Sequence, residues 1–190
     1  MSGALIALIV VVVIVLIAVF WYISTRNGII SFRNRVDESW SGIDVQLTRR
    51  HDLVPNLVET VKGYATHESA VFEKVTQARA DAMSTPDTNV AGTAKAEGQL
   101  DRALADLRAV AEAYPDLKAT ENFQQLSRNL SELEDEIQAS RRIYNSNVQS
   151  YNTKIQQFPA SIVANQGGFT AREFYEIEDA AQRETPSVSF

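Results

Sequence analysis

The apolar run near the start of the chain is the feature that most constrains its fold. From Ala4 to Ile23 the sequence reads ALIALIVVVVIVLIAVFWYI, and the first charged residue after it is Arg26. About 20 apolar residues, each adding 1.5 Å to an α-helix, span roughly 30 Å, the thickness of a bilayer's hydrocarbon core. Trp21 and Tyr22 lie near the end of the run, where amphipathic rings favour the headgroup region. The run therefore predicts a transmembrane anchor over residues 1–25.

A cleaved secretory signal is the alternative to an anchor. A signal peptide has a basic n-region, a shorter apolar core and a small-residue cleavage site. The three residues before the run carry no side-chain charge, and the run ends in bulky aromatic residues, so an uncleaved anchor is favoured. Arg26, Arg33 and Arg35 follow the span. By the positive-inside rule, we expect a single-pass protein whose remaining residues are cytoplasmic.

The part of the chain that follows Arg35 is acidic, with 15 basic and 24 acidic residues. An acidic surface repels nucleic acid, so we expect no nucleic-acid partner. Cysteine is absent from the chain. Disulfides, thiolate metal sites and cysteine nucleophiles are therefore excluded. Roughly 165 residues are enough for one domain with a substantial core.

Apolar residues at steps of three and four predict four helical stretches in this body. The first stripe runs from Ile29 to Leu47. Pro55 predicts either a kink or the start of a new helix, because proline lacks the backbone N–H. The second stripe continues to Ala78, and residues 84–87 are expected to form a loop. A third stretch covers residues 90–114, and a fourth, of about 40 residues, runs from Pro115 to Phe158.

Long amphipathic helices with short connections pack as an antiparallel bundle. The pattern therefore predicts an all-α protein: an N-terminal transmembrane helix followed by a helical bundle over residues 26–160. Residues 161–190 form an acidic tail that contains aromatic residues and begins near a flexible joint at Gly167 and Gly168. This tail is either disordered or docked along the bundle or a neighbour through its aromatic side chains, which are Phe169, Phe174, Tyr175 and Phe190.

Three stretches carry a resemblance to a known family. They are RNRVDESWSGIDVQLTRRHDLVPNLVETVKGYATHE (33–68), AVAEAYPDLKATENFQQL (109–126) and RRIYNSNVQSYNTKIQQFP (141–159). In this order they resemble the LemA family of bacterial membrane-anchored proteins. The resemblance implies a protein of the bacterial cytoplasmic membrane with a long antiparallel helical bundle and no settled activity. It also implies association with a membrane zinc metalloprotease of the heat-shock type.

A seven-residue repeat marks the fourth stretch, where Tyr144-Asn145, Tyr151-Asn152 and Phe158-Pro159 recur. Such a repeat is typical of a coiled-coil seam, in which buried asparagines set the register. It packs either within one bundle or between copies in a homo-oligomer. Around Pro55, the side chains of Arg50, Asp52 or Asn56 are expected to bond the backbone groups that proline leaves unpaired. A hinge or partner-contact site is the alternative there.

The candidate structural or partner contacts are Trp40, Asp44, Arg50, Asp52, Pro55, Asn56, Tyr114, Pro115, Tyr144, Asn145, Tyr151 and Asn152. No catalytic, cofactor or metal residue is predicted. Asp37, Asp44 and His51 are seven residues apart, about 10.5 Å along a helix, too far to share an ion. The sequence thus predicts a non-catalytic scaffold or adaptor anchored in the lipid bilayer. The alternative is an accessory to membrane protein quality control that acts with the metalloprotease.

Overall fold

The computed structural model describes residues 3–86 and 88–176, and all regular structure in this part of the chain is helical. The helices are α1 (Gly3–Lys62), α2 (Ser69–Ser84), α3 (Val90–Glu112), α4 (Pro115–Lys118), α5 (Glu121–Gln156) and α6 (Ala160–Gln166). The prediction of an all-α protein with an apolar N-terminal helix is confirmed. Phe190, one of the tail aromatics, lies outside the described residues.

Helix α1 contains the apolar run and continues far beyond it. The large apolar side chains from Leu5 to Phe20 are exposed, and none of the apolar segment is buried against protein. Among the described residues, α1 alone is long and apolar enough to cross a membrane. Pro55 lies inside α1. The alternative that a new helix starts at Pro55 is therefore wrong.

The break between the first two helices falls later than the sequence pattern indicates. Helix α1 ends at Lys62, and residues 63–68 connect it to α2. The Gly63 N–H donates to the Glu59 carbonyl at 3.2 Å and the Tyr64 N–H to the Val61 carbonyl at 3.0 Å, which closes the helix end. Tyr64 lies at helical spacing within the second predicted stripe, yet it is 46% exposed.

The fourth stretch is also divided, because Ala119 and Thr120 separate α4 from α5. The Thr120 hydroxyl donates to the Leu117 carbonyl at 2.7 Å, and its oxygen accepts the Phe123 N–H at 3.4 Å. Thr120 thus satisfies a donor at the start of α5, as capping residues do. The loop predicted at residues 84–87 begins one residue later, because α2 ends at Ser84, and Asp87 lies outside the described residues. The Asn89 side chain caps α3 by accepting the Gly92 N–H at 2.9 Å.

The chain folds as two compact units, and α1 and α5 contribute to both. Of the described residues, unit 1 consists of 3–40 and 143–172, and unit 2 of 41–86, 88–142 and 173–176. In unit 2, apolar side chains of α1, α2, α3, α4 and α5 form one core, which includes Val61, Val75, Leu104, Leu117 and Leu130. The predicted stripes of α1, α3 and α5 supply most of these residues.

In unit 1, the buried residues come from α1, α5 and α6 and include Ile29, Val36, Val148, Ile155 and Val163. The helices α1 and α5 are antiparallel here. The rings of Trp40 and Tyr144 lie 5.4 Å apart, and the Asn147 amide donates to the Arg35 carbonyl at 3.3 Å. Lower numbers in α1 thus face higher numbers in α5.

Candidate functional site

A group of ionisable side chains, three of them buried, links α1 to α3 in unit 2. Its members are Arg50 and His51 on α1 and Glu97 and Asp101 on α3, and we call it the Arg50 cluster. Arg50 and Glu97 are each 1% exposed. One terminal nitrogen of Arg50 donates to Glu97, and the other donates to Asp101 at 2.5 Å. A charge this deeply buried needs such partners, because desolvation otherwise costs several kcal/mol.

His51 completes the cluster as a neutral imidazole. Its Nε2 lies 2.7 Å from a Glu97 carboxylate oxygen, and the residue is 8% exposed. Burial, followed by the positive charges of Arg50 and Arg79, lowers the pKa of His51 to about 4. Near pH 7 the ring therefore carries one proton, and we assign it to Nε2, which donates to the Glu97 carboxylate.

Pro55 removes one backbone hydrogen bond of α1 next to this cluster. In a helix the residue at position 55 would donate its N–H to the carbonyl of His51, and proline cannot. The Nε of Arg79, on α2, donates to that carbonyl instead, at 2.7 Å. The sequence predicts that Arg50, Asp52 or Asn56 bonds the backbone groups left unpaired at Pro55, but Arg50 is engaged with Glu97 and Asp101. The orphaned carbonyl is thus satisfied from a neighbouring helix.

A cavity of about 190 Å³ lies beside the Arg50 cluster. It is lined by Arg50, Asp101, Arg108, Glu134, Ile137, Gln138 and Arg141. Arg108 forms a 3.0 Å ion pair with Glu134. The guanidinium of Arg141 lies 4.7 Å from the ring centre of Tyr175, and it donates to the Tyr175 hydroxyl at 3.4 Å. Burial raises the pKa of the Tyr175 hydroxyl.

A second surface feature of unit 2, an open groove, lies between α1 and α5 and has a volume of about 480 Å³. Its lining residues are Arg49, Asp52, Leu53, Asn56, Asn129, Glu132, Leu133 and Glu136. We call it the α1–α5 groove. Three carboxylates and one guanidinium surround two half-buried leucines, and Arg49 lies 3.9 Å from Glu136. The groove combines an acidic rim with an apolar floor.

In unit 1, the segment after α6 has no regular secondary structure and is held against α1 and α5. The Asn152 side chain accepts the Arg172 N–H at 2.8 Å and donates to the Arg172 carbonyl at 2.9 Å. The Tyr151 hydroxyl donates to the Thr170 carbonyl at 3.0 Å. The Arg172 side chain reaches Asp37 at 2.7 Å.

Other contacts of the segment that follows α6 involve aromatic rings. Arg33 lies 5.7 Å from the ring centre of Phe169 in unit 1. Tyr175 is 3% exposed in unit 2, whereas Phe174 is 38% exposed. Through Glu176, therefore, the docked alternative for the tail is the one observed.

The remaining candidate residues fall into separate places. In unit 1, Tyr144 is buried against Trp40 and Asn145 is half-buried. In unit 2, Asp44 is exposed, and Tyr114 and Pro115 form the corner at which α4 begins. The structure thus brings Asp52 and Asn56 together in the α1–α5 groove, and places Tyr151 and Asn152 together against the segment that follows α6.

Several important residues were missed, namely Arg79, Glu97, Asp101, Arg141 and Arg172. A signal existed for Glu97, because it lies between Thr93 and Leu100 at the helical spacing of buried positions. Arg50 similarly falls between Leu47 and Val54 on the apolar stripe. Opposite charges at stripe positions of two helices indicate a buried pair. No group of three or more His, Cys, Asp or Glu able to hold a metal occurs in the described part of the chain.

These features define the class of protein: an all-α, membrane-associated protein with an apolar helix at the start of the chain. Comparison with protein families places it further. Residues 39–190 match the model of the LemA family. The chain belongs to the LemA family.

Curated relatives agree with this assignment. Protein LemA of Metamycoplasma hominis is 31% identical over 145 residues, which cover 76% of this chain and 66% of the relative. Magnetosome protein MamQ 2 of Paramagnetospirillum magneticum is 25% identical over 173 residues, covering 78% and 63%. Magnetosome protein MamQ of Magnetospirillum gryphiswaldense is 22% identical over 187 residues, covering 86% and 68%. The chain spans slightly less than two thirds of the length of the first two relatives.

Proposed function

We propose that the protein is a non-catalytic helical scaffold, anchored in the bacterial cytoplasmic membrane, that presents contact surfaces to other protein chains. A second copy of the chain is the first partner, so the scaffold is a homo-oligomer. The observation that carries this proposal is the α1–α5 groove. An exposed groove of about 480 Å³ with an apolar floor is a feature that protein partners use.

The charge of the groove defines what fits it. Asp52, Glu132 and Glu136 outnumber the single cation, Arg49, around its rim. The floor is made of Leu53 and Leu133. A helical segment with apolar residues along one face and basic residues beside them complements this arrangement, and charge complementarity sets the orientation and the rate of docking.

The Arg50 cluster supports the non-catalytic part of the proposal. Arg50 binds both carboxylates, and Glu97 also accepts a hydrogen bond from His51. An acid or base catalyst needs a titratable group that faces substrate and exchanges its proton there. In this cluster the buried Glu97 and His51 bond to each other, Arg50 holds the more exposed Asp101, and these bonds join α1 to α3. Their role is to fix how these two helices pair.

Charge reversal in the groove tests the scaffold. The variant Glu132→Lys with Glu136→Lys makes the rim basic, and both positions are solvent-exposed, so the fold is retained. The control variant Glu112→Lys with Asp116→Lys changes the net charge equally at exposed positions outside the groove. Native mass spectrometry and light scattering in mild detergent and in lipid nanodiscs measure the assembly.

We expect an oligomer for the wild type and for the control, and a shift to monomer for the groove variant. A wild type that stays monomeric at all concentrations would rule out self-assembly. If a membrane zinc metalloprotease co-purifies in stoichiometric amount and is lost from the groove variant, the protein is an accessory to quality control instead.

A further inference from the structure

Phe158 is placed unusually for a large apolar residue. It follows the end of α5, just before Pro159, and is 82% exposed, more than Phe20 in the apolar run at 75%. The seven-residue repeat predicts Phe158 on the buried seam with Tyr144 and Tyr151, and that expectation is wrong because α5 ends at Gln156. Ile162, in α6, is 52% exposed. Two large apolar side chains thus point away from the protein at one corner of unit 1.

The antiparallel pairing of α1 and α5 in unit 1 shows which residues of α1 lie beside this corner. Asn147 contacts the carbonyl of Arg35. Phe158 lies 11 residues after Asn147, and Ser24 lies 11 residues before Arg35. Because both helices rise about 1.5 Å per residue, the corner lies level with the region around Ser24. Ser24 directly follows Ile23, the last residue of the apolar run.

The charges of unit 1 favour an anionic surface. The chain as a whole has a net charge of -6, yet unit 1 has five basic residues, which are Arg26, Arg33, Arg35, Lys154 and Arg172, and two acidic ones, Asp37 and Glu38. From Ile137 to Arg172 the sequence contains no acidic residue. Basic residues next to a span are attracted by anionic lipid headgroups, whereas acidic residues are repelled.

We propose that Phe158 and Ile162 insert into the interfacial region of the bilayer beside the point where α1 leaves it. Unit 1 then has two membrane contacts, the α1 span and this corner. Aromatic rings are favoured at the headgroup level, and shallow insertion of a few apolar side chains removes them from water. The inference rests on α1 crossing the membrane, as the proposed function does.

Nitroxide accessibility in full-length protein tests the corner, because the chain contains no cysteine and each variant has a single label site. The variants are Phe158→Cys at the corner, Ser24→Cys at the end of the apolar run, and Ile143→Cys on α5. Ile143 is 59% exposed and lies about 22 Å from the corner along the helix. Each is labelled and placed in nanodiscs of phosphatidylcholine and phosphatidylglycerol. Collisions with oxygen and with a water-soluble nickel complex are then measured.

We expect the label at position 158 to collide with nickel several-fold less often, and with oxygen more often, than the label at position 143. A nickel collision rate at position 158 equal to that at position 143 would overturn the second contact. The label at position 24 separates the two hypotheses. If the label at position 24 collides mainly with oxygen and the label at position 158 mainly with nickel, the insertion of the corner is rejected and the membrane span is retained. If both labels collide mainly with nickel, the membrane span is rejected as well.

Discussion

At the scale of single residues, the Arg50 cluster shows how far sequence reasoning extends. The sequence indicates a structural role for Arg50, but the sequence pattern does not identify the partners of Arg50. Glu97 lies 47 positions further along the chain, and nothing in the local pattern specifies that α3 packs beside this turn of α1. Tertiary pairing of helices is set by the summed fit of many side chains. The need for a partner is therefore predictable from Arg50 alone, and the stripe position of Glu97 marks a candidate, whereas the packing of α3 beside this turn of α1 is not predictable from the local pattern.

Stability of unit 2 should depend on the protonation of His51. The pKa of His51 is about 4 in the folded protein and near its ordinary value of 6.5 when unfolded. Between these values the unfolded chain binds more protons, so protonation favours unfolding. The contribution is present above pH 6.5 and lost as the pH falls toward 4. It amounts to about 3 kcal/mol in the free energy of unfolding.

Urea unfolding followed by circular dichroism from pH 7 to pH 4 measures this effect. The variant His51→Gln keeps an N–H donor for Glu97 but does not titrate, so the free energy of its unfolding should fall less across this range. His67→Gln is the matched control, since His67 is exposed. Identical pH profiles for wild type and His51→Gln would contradict the assignment of a neutral, buried imidazole.

At the scale of elements, the helices were predicted well where apolar spacing is regular and less well at their ends. The loop before α3 and the run of α5 were anticipated. The break at residues 63–68 was missed, because Gly63 is a weaker signal than Pro55 and the apolar spacing continues across it. Proline inside a helix costs about 3 kcal/mol, yet α1 continues through it. Burial of Val54 and Leu57 on either side offsets this cost.

The bond from Arg79 to the His51 carbonyl should be coupled to Pro55. Replacing Arg79 with Met leaves that buried carbonyl without a donor, so we expect a loss of about 1–3 kcal/mol in the free energy of unfolding. In a Pro55→Ala background the residue 55 N–H becomes a donor for the same carbonyl. The same replacement should then cost less, with a coupling of about 1 kcal/mol.

Four proteins form this double-mutant cycle: wild type, the two single variants and the double variant. Urea unfolding of each at pH 7 yields the coupling. Equal costs of Arg79→Met in both backgrounds would mean that Arg79 acts through contacts other than this carbonyl. Arg79→Met removes the arginine charge in both backgrounds, so the effect of that charge cancels when the two costs are compared.

At the scale of the whole molecule, charge is divided between the two units. Unit 1 contains the apolar run and is basic, although the chain is acidic. Anionic headgroups and the positive-inside rule both favour such a distribution on the cytoplasmic side. This division was only partly predictable. The three arginines after the span are evident in the sequence, whereas Lys154 and Arg172 join them only through folding.

We expect residues beyond the span to be inaccessible from outside the cell. Ser69 is exposed in unit 2, and Ser69→Cys creates the only thiol in the chain. A membrane-impermeant maleimide added to intact spheroplasts should leave this thiol unmodified, and the same reagent should modify it after lysis. Labelling without lysis would place the body on the outer side and reverse the orientation.

The bond pattern at Asn152 has a consequence for how the chain can vary. Asn152 contacts the N–H and the carbonyl of position 172, and these groups are the same in nearly every amino acid. An amide that pairs with the main chain in this way bonds the peptide groups and makes no bond to the side chain of the same residue. Proline alone lacks the N–H. Position 172 can therefore change among the other residue types and keep these two bonds to Asn152, although every change removes the ion pair of Arg172 with Asp37. A change at position 152 removes both main-chain bonds.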